Sequence, residues 1–226
     1  MPLTKRQTIF TILSGIFITN AVVAELIGGK LIYVGSVPMS VGILPWPVVF
    51  ITTDLINEYF GEKGVRRLSY ITAGLIAYCF FVLWAALNIP AVKGMGVQDS
   101  AFSSVFGQGM WIIVGSITAF LVSQLIDVTI FHFVKRKTGK RMIWLRSTGS
   151  TVISQFFDSF IVLGIAFWAT GQMDTETYIA SGLTGYAVKL AIAILLTPAI
   201  YLGHAIIGKH MKPDDGPQLE NLKEGR

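Results

Sequence analysis

The chain has 226 residues, of which 53% are hydrophobic and only 14% are charged, and its formal net charge is +5. Soluble domains contain about 25% charged residues, so this composition excludes an ordinary soluble domain and indicates a membrane protein. The basic residues are better explained by membrane topology than by a nucleic-acid partner. The sequence contains no zinc-ligand cluster, phosphate-binding loop or nucleophile motif, so we expect no enzymatic activity and no metal.

Six apolar runs are each long enough to cross a bilayer, which takes about 20 residues. They predict an all-α polytopic membrane protein with six transmembrane helices, and residues 1–208 are expected to form a single domain. The polar residues 209–226 are expected to form a disordered cytoplasmic tail. The predicted spans are residues 8–32, 38–60, 67–89, 110–134, 147–170 and 183–207.

Lysine and arginine residues alternate between the two sides of these spans. One side receives Lys5 and Arg6, the connection after residue 60, the basic stretch 135–141 and the C-terminal tail. The other side receives only Lys30 and Lys93. Because cytoplasmic loops carry the excess of basic residues, both termini are predicted to be cytoplasmic.

Two polar residues of the first span, Asn20 and Glu25, are included as additional site candidates. They are five residues apart, so their side chains cannot point in the same direction on a helix. For Glu25, an ion pair with Lys30 near the outer surface is an equally good interpretation.

The second span contains the sequence LPWPVVF, in which Pro45 and Pro47 flank Trp46. Each proline removes a backbone donor and disfavours helix before it, so we expect a kink or a break there. The prolines would hold Trp46 deeper in the membrane than the other tryptophans. A purely structural kink is the alternative to a site at this position.

Further along the second span, Asp54 and Asn57 share one face of the predicted helix. Glu58 follows nearer to the cytoplasmic end, where water is available. We therefore expect Asp54 and Asn57 to belong to a site and Glu58 to be a solvated charge.

The fourth and fifth spans both contain the order Ser-Gln-x-x-Asp. Gln124 lies three residues before Asp127, and Gln155 lies three residues before Asp158, next to Ser154. A charge near the middle of a span costs about 2.5–3.5 kcal/mol, so such residues usually face the bundle interior or a wet cavity. A short basic loop makes the two spans antiparallel neighbours, and their polar stripes are expected to face one shared volume. The alternative is a set of purely structural interhelical hydrogen bonds.

The sixth span contains Lys189 within an apolar run. A lysine at this depth either extends its amine to the membrane surface or pairs with a buried carboxylate. The sequence does not decide between these two alternatives.

An aspartate and a glutamine placed three residues apart can recognise a particular ligand edge. The carboxylate accepts two parallel hydrogen bonds, and the amide both donates and accepts. Together they complement a guanine-like lactam with its 2-amino group, and an aromatic plate such as Trp46 would stack on the ring. Residue types alone equally allow an amino acid, a vitamin or a proton path.

Three stretches of the chain resemble the queuosine precursor transporter family, also called the vitamin uptake transporter family. They are FITTDLINEYFG (50–61), SQLIDVTIFHFVKRKTGKRMIWLRSTGSTVISQFFDSFIVLGIAFW (123–168) and YAVKLAIAILLTPAIYLGH (186–204). The resemblance covers spans two to six and is weakest in the first span. It implies a six-helix inner-membrane importer of the small molecules 7-cyano-7-deazaguanine and 7-aminomethyl-7-deazaguanine, without a cofactor or an ATPase partner.

The resemblance also implies which residues bind the substrate. The positions that match are Asp54, Gln124, Asp127, Ser154, Gln155, Asp158 and Lys189. Trp46 and Asn57 complete the predicted site from the residue pattern. The alternative function is a substrate-binding membrane subunit of a multi-component vitamin or nucleobase importer. A homodimer is compatible with the small size of a six-span carrier.

Overall fold

The computed structural model describes residues 4–34, 37–107, 110–138 and 142–209. The protein is an all-α bundle, as predicted, with a single short strand hairpin among the described residues. The predicted tail lies outside the described residues, except for residue 209. The helices are α1 (Lys5–Ile27), α2 (Trp46–Leu87), α3 (Asp99–Phe106), α4 (Met110–Thr138), α5 (Ile143–Leu163), α6 (Thr175–Leu195) and α7 (Thr197–Gly208).

Burial in this bundle is reversed relative to a soluble protein. Hydroxyl, amide and charged side chains of α2, α4 and α5 are buried, whereas many large apolar side chains are exposed on the outer surface. Within the described residues, five helical segments are long and apolar enough to cross a membrane. Because lipid tails are as apolar as these exposed side chains, the surface matches a bilayer and confirms the polytopic membrane class.

The first helix ends earlier than predicted. α1 stops at Ile27, and the chain continues as an antiparallel hairpin of β1 (Leu31–Val34) and β2 (Val37–Ser40). The Ser40 hydroxyl donates a 2.7 Å hydrogen bond to the Gly28 carbonyl, which holds the hairpin against the helix end. The predicted span 8–32 is therefore wrong at its end, because a short apolar run such as this suits a strand as well as a helix.

Of the predicted kink or break at the proline pair, the structure shows a break, because α2 begins there. Pro45 caps α2, and Trp46 and Pro47 are its first residues, after a 3-10 turn over Val41–Ile43. Proline is tolerated in the first helical turn because its missing N–H would have no partner there. The second span therefore begins at Trp46 rather than at residue 38.

Gly61 divides α2 into two halves, α2a (46–60) and α2b (62–87), which correspond to the second and third predicted spans. The backbone of Gly61 has φ 74° and ψ 176°, a region that is essentially restricted to glycine. α2a runs parallel to α4. Trp46 at the start of α2a contacts Phe120, and Glu58 near its end pairs with Lys135, which lies further along α4.

After the break at Gly61, α2b runs in the opposite direction relative to α4. Arg66 donates a 2.9 Å hydrogen bond to Thr129, which lies earlier in α4 than Lys135. Phe10 of α1 lies against both Phe60 and Gly64, on either side of the break. α2b therefore runs back along the bundle, and α2 makes two crossings.

Replacing Gly61 with alanine is expected to destabilise the protein by about 1–3 kcal/mol, because the new Cβ would occupy a strained backbone region. The measurement is thermal unfolding of the purified protein in detergent. Gly74→Ala is the matched control, since a Cβ at this helical position of α2b meets nothing within 4 Å. Equal stability of the two variants would contradict the glycine requirement at the break.

Helices α4, α5 and α6 pack as antiparallel neighbours in chain order. α5 returns beside α4 as predicted, and a π-helical turn (Gly164–Trp168) extends it. α6 begins at Thr175 rather than at residue 183, and α6 and α7 meet at Leu196. α7 continues from α6 and packs against α2a, where the Tyr59 hydroxyl donates a 3.1 Å hydrogen bond to the His204 carbonyl. The last predicted span is thus a longer, two-part segment.

Candidate functional site

One face of α5 carries four buried hydroxyl side chains, each no more than 5% exposed. They are Ser147, Ser150, Thr151 and Ser154. Spacings of three and four place them on one side of the helix. The face lies against α2a and α4, because Ser147 donates to Asp54 and Ser154 donates to Asp127.

Asp127 of α4 is the carboxylate at the centre of this face. Its Oδ1 accepts hydrogen bonds from Thr151 at 3.4 Å and from Ser154 at 3.3 Å. Its Oδ2 is buried and has no hydrogen-bond partner among the described residues. A buried acceptor of this kind costs free energy unless a donor satisfies it, so this oxygen has capacity for a further hydrogen bond.

A narrow cavity lies between α2a, α4 and α5, with space for about one water molecule. Its lining consists of Phe50, Thr53, Ser123, Gln124, Asp127, Thr151, Ser154 and Gln155. Four predicted site residues, from two helices, therefore line the same cavity. This is the shared volume that the repeated Ser-Gln-x-x-Asp pattern predicts.

The two glutamines of the pattern reach this cavity from different helices. Gln124 and Gln155 are both buried, and the Gln124 Oε1 has no hydrogen-bond partner among the described residues. The cavity thus combines a free carboxylate oxygen and a free amide oxygen. This arrangement favours a ligand that carries several N–H donors.

Asp158 is paired with Lys189. The Lys189 amine bonds to the Asp158 Oδ2, and the Ser123 hydroxyl lies 3.4 Å from its Oδ1. Of the two alternatives for Lys189, the structure contains the ion pair with a buried carboxylate. Asp158 is therefore compensated, unlike Asp127, which makes no ion pair within the part of the chain described.

Asp54 and Asn57 lie between the cavity and Glu58 along α2a and do not line the cavity. Asp54 accepts the hydroxyl of Ser147, and its Oδ1 has no hydrogen-bond partner among the described residues. The Asn57 Oδ1 lies 3.2 Å from the His132 Nε2. Both residues are buried, as their shared face on the predicted helix requires.

Glu58 is not the solvated charge that its position near the helix end predicts. It is only 3% exposed, with Arg146 at 2.8 Å and Lys135 at 3.3 Å from its carboxylate oxygens. Cations from α4 and α5 thus close over the carboxylate and replace water. Arg146 could have been found from its spacing, because it lies four residues before Ser150 on the hydroxyl face.

The aromatic residue at the cavity is Phe50, not Trp46. Trp46 packs on Phe50 with ring centroids 5.7 Å apart, one turn of α2a further from the cavity, and it also contacts Phe120. Trp46 therefore contacts a residue that lines the cavity but does not line the cavity itself. Phe50 and Thr53 were missed because neither residue is unusual in an apolar span.

The two candidates from α1 are not brought to the cavity. The Asn20 amide donates a 2.8 Å hydrogen bond to the Ile16 carbonyl of its own helix. Glu25 accepts the hydroxyl of Ser116 from α4. Their positions agree with the five-residue spacing, which sends the two side chains in different directions.

Comparison with known proteins assigns the family. Residues 40–203 match the family described as "Putative vitamin uptake transporter". The chain is 27% identical over 177 residues to the "Probable queuosine precursor transporter" of Bacillus subtilis (strain 168), covering 78% of this chain and 74% of that protein.

A second relative has the same name in Haemophilus influenzae (strain ATCC 51907 / DSM 11121 / KW20 / Rd). It is 27% identical over 165 residues, which cover 71% of this chain and 66% of that protein. No solved structure shows a significant match. The family and both relatives are transporters and not enzymes. Because the family match spans well over half of the sequence, this protein belongs to the vitamin uptake transporter family.

Proposed function

We propose that the protein imports queuosine precursors, the bases 7-cyano-7-deazaguanine and 7-aminomethyl-7-deazaguanine, across the bacterial inner membrane. The names of its two relatives supply the substrate class. The observation that carries the proposal for this chain is the pair of free oxygen acceptors, on Asp127 and Gln124, at one buried cavity.

The donor edge of the base complements these acceptors. A 7-deazaguanine presents its ring N–H and its 2-amino group beside a carbonyl. The Asp127 carboxylate and the Gln124 amide oxygen would accept the donors, and the Gln155 amide would donate to the carbonyl. Phe50 offers an aromatic edge or face to the ring. Each group of the lactam edge then has a partner.

The aminomethyl base carries a positive charge, for which a second carboxylate is useful. Asp158 lies one turn of α5 beyond Ser154 and is held by Lys189 in this conformation. Release of Lys189 would free Asp158 for the ligand cation. A cytoplasm-negative potential would favour entry of this form by about 2.3 kcal/mol per 100 mV.

Transport requires the cavity to widen, because its present space suits about one water molecule. In transporters, groups of helices move against one another to open a central site to each side in turn. With both termini in the cytoplasm, the cluster of Glu58, Lys135 and Arg146 lies on the cytoplasmic side of the cavity and closes it there. The structure then corresponds to a state closed to the cytoplasm.

The test is uptake of labelled 7-cyano-7-deazaguanine into liposomes that contain only the purified chain. We expect saturable uptake without ATP and none in protein-free liposomes. Binding without uptake would contradict import by the chain alone. Uptake restored by a separate energising protein would instead identify a substrate-binding subunit of a larger importer.

A further inference from the structure

Asp54 and Asp127 are two buried carboxylates that both accept hydrogen bonds from the hydroxyl face of α5. Asp54 is 1% exposed and Asp127 is 6% exposed. Their partners Ser147 and Thr151 are four residues apart on α5, about 6 Å along the helix axis. Each aspartate comes from a different helix, so the pair is formed only in the folded bundle.

Both carboxylates retain an oxygen that no described residue satisfies. These oxygens are the Oδ1 of Asp54 and the Oδ2 of Asp127, and the Oε1 of Gln124 is also unsatisfied at the adjoining cavity. All three atoms are acceptors, buried in a medium where unpaired acceptors are costly. These three acceptors therefore lack hydrogen-bond donors among the described residues.

A count of the formal charges around the two aspartates shows that negative charge exceeds positive charge among the described groups. The charged or titratable groups that the structure describes around the pair are Glu58 and Tyr59 of α2a, His132 and Lys135 of α4, Arg146 of α5 and His204 of α7. Among these groups, with neutral histidines, three carboxylates (Asp54, Glu58 and Asp127) face two cations (Lys135 and Arg146). Within the described part of the chain one negative charge therefore remains, and Lys189 is bonded to Asp158.

We propose that Asp54 and Asp127 together hold one transported proton, and that the protein couples entry of the base to entry of this proton. The inference rests on the proposed function and adds its driving ion. Like charges in one buried site disfavour the ionised form of each other, so one proton bound to the pair offsets the excess negative charge of the described groups.

Binding of the base and binding of the proton are linked because both involve Asp127. The N–H donors of the base require Asp127 to be ionised, so binding of the base breaks the O–H bond that the shared proton makes with Asp127, and the proton passes to Asp54. There the new O–H bond forms on the Oδ1, while the Oδ2 keeps its hydrogen bond from Ser147. When the site opens to the cytoplasm, the O–H bond breaks, and the proton leaves to water with the base.

A proton fits this site better than a sodium ion. Sodium sites in transporters commonly use backbone carbonyls of unwound helix segments. Here the free acceptors are side-chain atoms on continuous helical stretches of α2a and α4, whose backbone carbonyls are used within the helices.

The experiment uses the full chain in liposomes loaded with unlabelled base, with the membrane potential clamped. Exchange of labelled 7-cyano-7-deazaguanine is measured first, and net accumulation is then measured with an inward pH gradient or an inward sodium gradient. One coupled proton is expected to give up to about tenfold accumulation per pH unit. Uptake of the base should also acidify the liposome interior.

Asp54→Asn is expected to abolish the response to the pH gradient, and Glu62→Gln is the matched control. Glu62 is a partly exposed carboxylate of α2b that pairs with Arg66, outside the cluster, so its variant should respond as the wild type does. A wild type driven by sodium, or a pH-driven Asp54→Asn variant, would overturn the proton site while leaving import intact. Absence of exchange by the wild type would refute the proposed function itself.

Discussion

Replacing Lys189 with methionine is expected to lower the free energy of unfolding by about 3–5 kcal/mol. The substitution keeps most of the side-chain volume but removes the amine that pairs with Asp158. The Asp158 side chain is only 9% exposed, and its other bond, from Ser123, is long at 3.4 Å. Removing one partner of a buried ion pair is costly because the remaining charge is uncompensated. Thermal or chemical unfolding in detergent measures the loss.

A double variant separates this charge effect from lost packing. Asp158→Asn combined with Lys189→Met removes both charges, so most of the lost stability should return. If the double variant is no more stable than Lys189→Met, the uncompensated Asp158 charge is not the cause. If Lys189→Met is as stable as the wild type, the ion pair does not form.

Replacing Asp127 with asparagine is expected to weaken binding of 7-cyano-7-deazaguanine by about tenfold to a hundredfold. Hydrogen bonds to a charged group contribute about 1.5–3 kcal/mol, and each 1.4 kcal/mol is a factor of ten in affinity. The asparagine Oδ1 can keep the bonds from Thr151 and Ser154, so the helices should stay in place. The new amide, however, presents donors where the base also presents donors. Calorimetric titration in detergent measures the affinity.

Asp174→Asn is the matched control for this change. Asp174 caps α6 outside the bundle, where the Thr177 backbone N–H and hydroxyl donate to its carboxylate and hold its pKa below the usual value. Asparagine caps helices about as well as aspartate does. The control should therefore bind the base with wild-type affinity. Unchanged binding by Asp127→Asn would remove this carboxylate from the site.

The sequence predicts the polar interior well because spacing on a helix decides which residues share a face. Gln124 and Asp127, together with Ser154 and Gln155, meet at one cavity, as their repeated order and antiparallel spans require. The partner of Lys189 could be identified only from the structure, because its long side chain reaches either a membrane surface or a carboxylate from the same position.

Other features depend on tertiary contacts that no local pattern contains. Glu58 is buried because Arg146 and Lys135 arrive from two other helices. Phe50 rather than Trp46 lines the cavity. α2 begins at the proline pair, so Trp46 lies in its first turn, and the cavity lies one turn further along the helix. Hydropathy likewise cannot distinguish the end of α1 from the strand that follows.

Ligand-induced stabilisation of the purified wild-type protein tests the central claim, that the cavity between α2a, α4 and α5 binds a 2-amino lactam edge. A ligand present at about 100 times its dissociation constant should stabilise the protein by about 2.7 kcal/mol. The comparison is between 7-cyano-7-deazaguanine and the same base without its 2-amino group. Strong stabilisation by the first and clearly weaker stabilisation by the second is the predicted result. No stabilisation by either base, or equal stabilisation by both, would contradict the site.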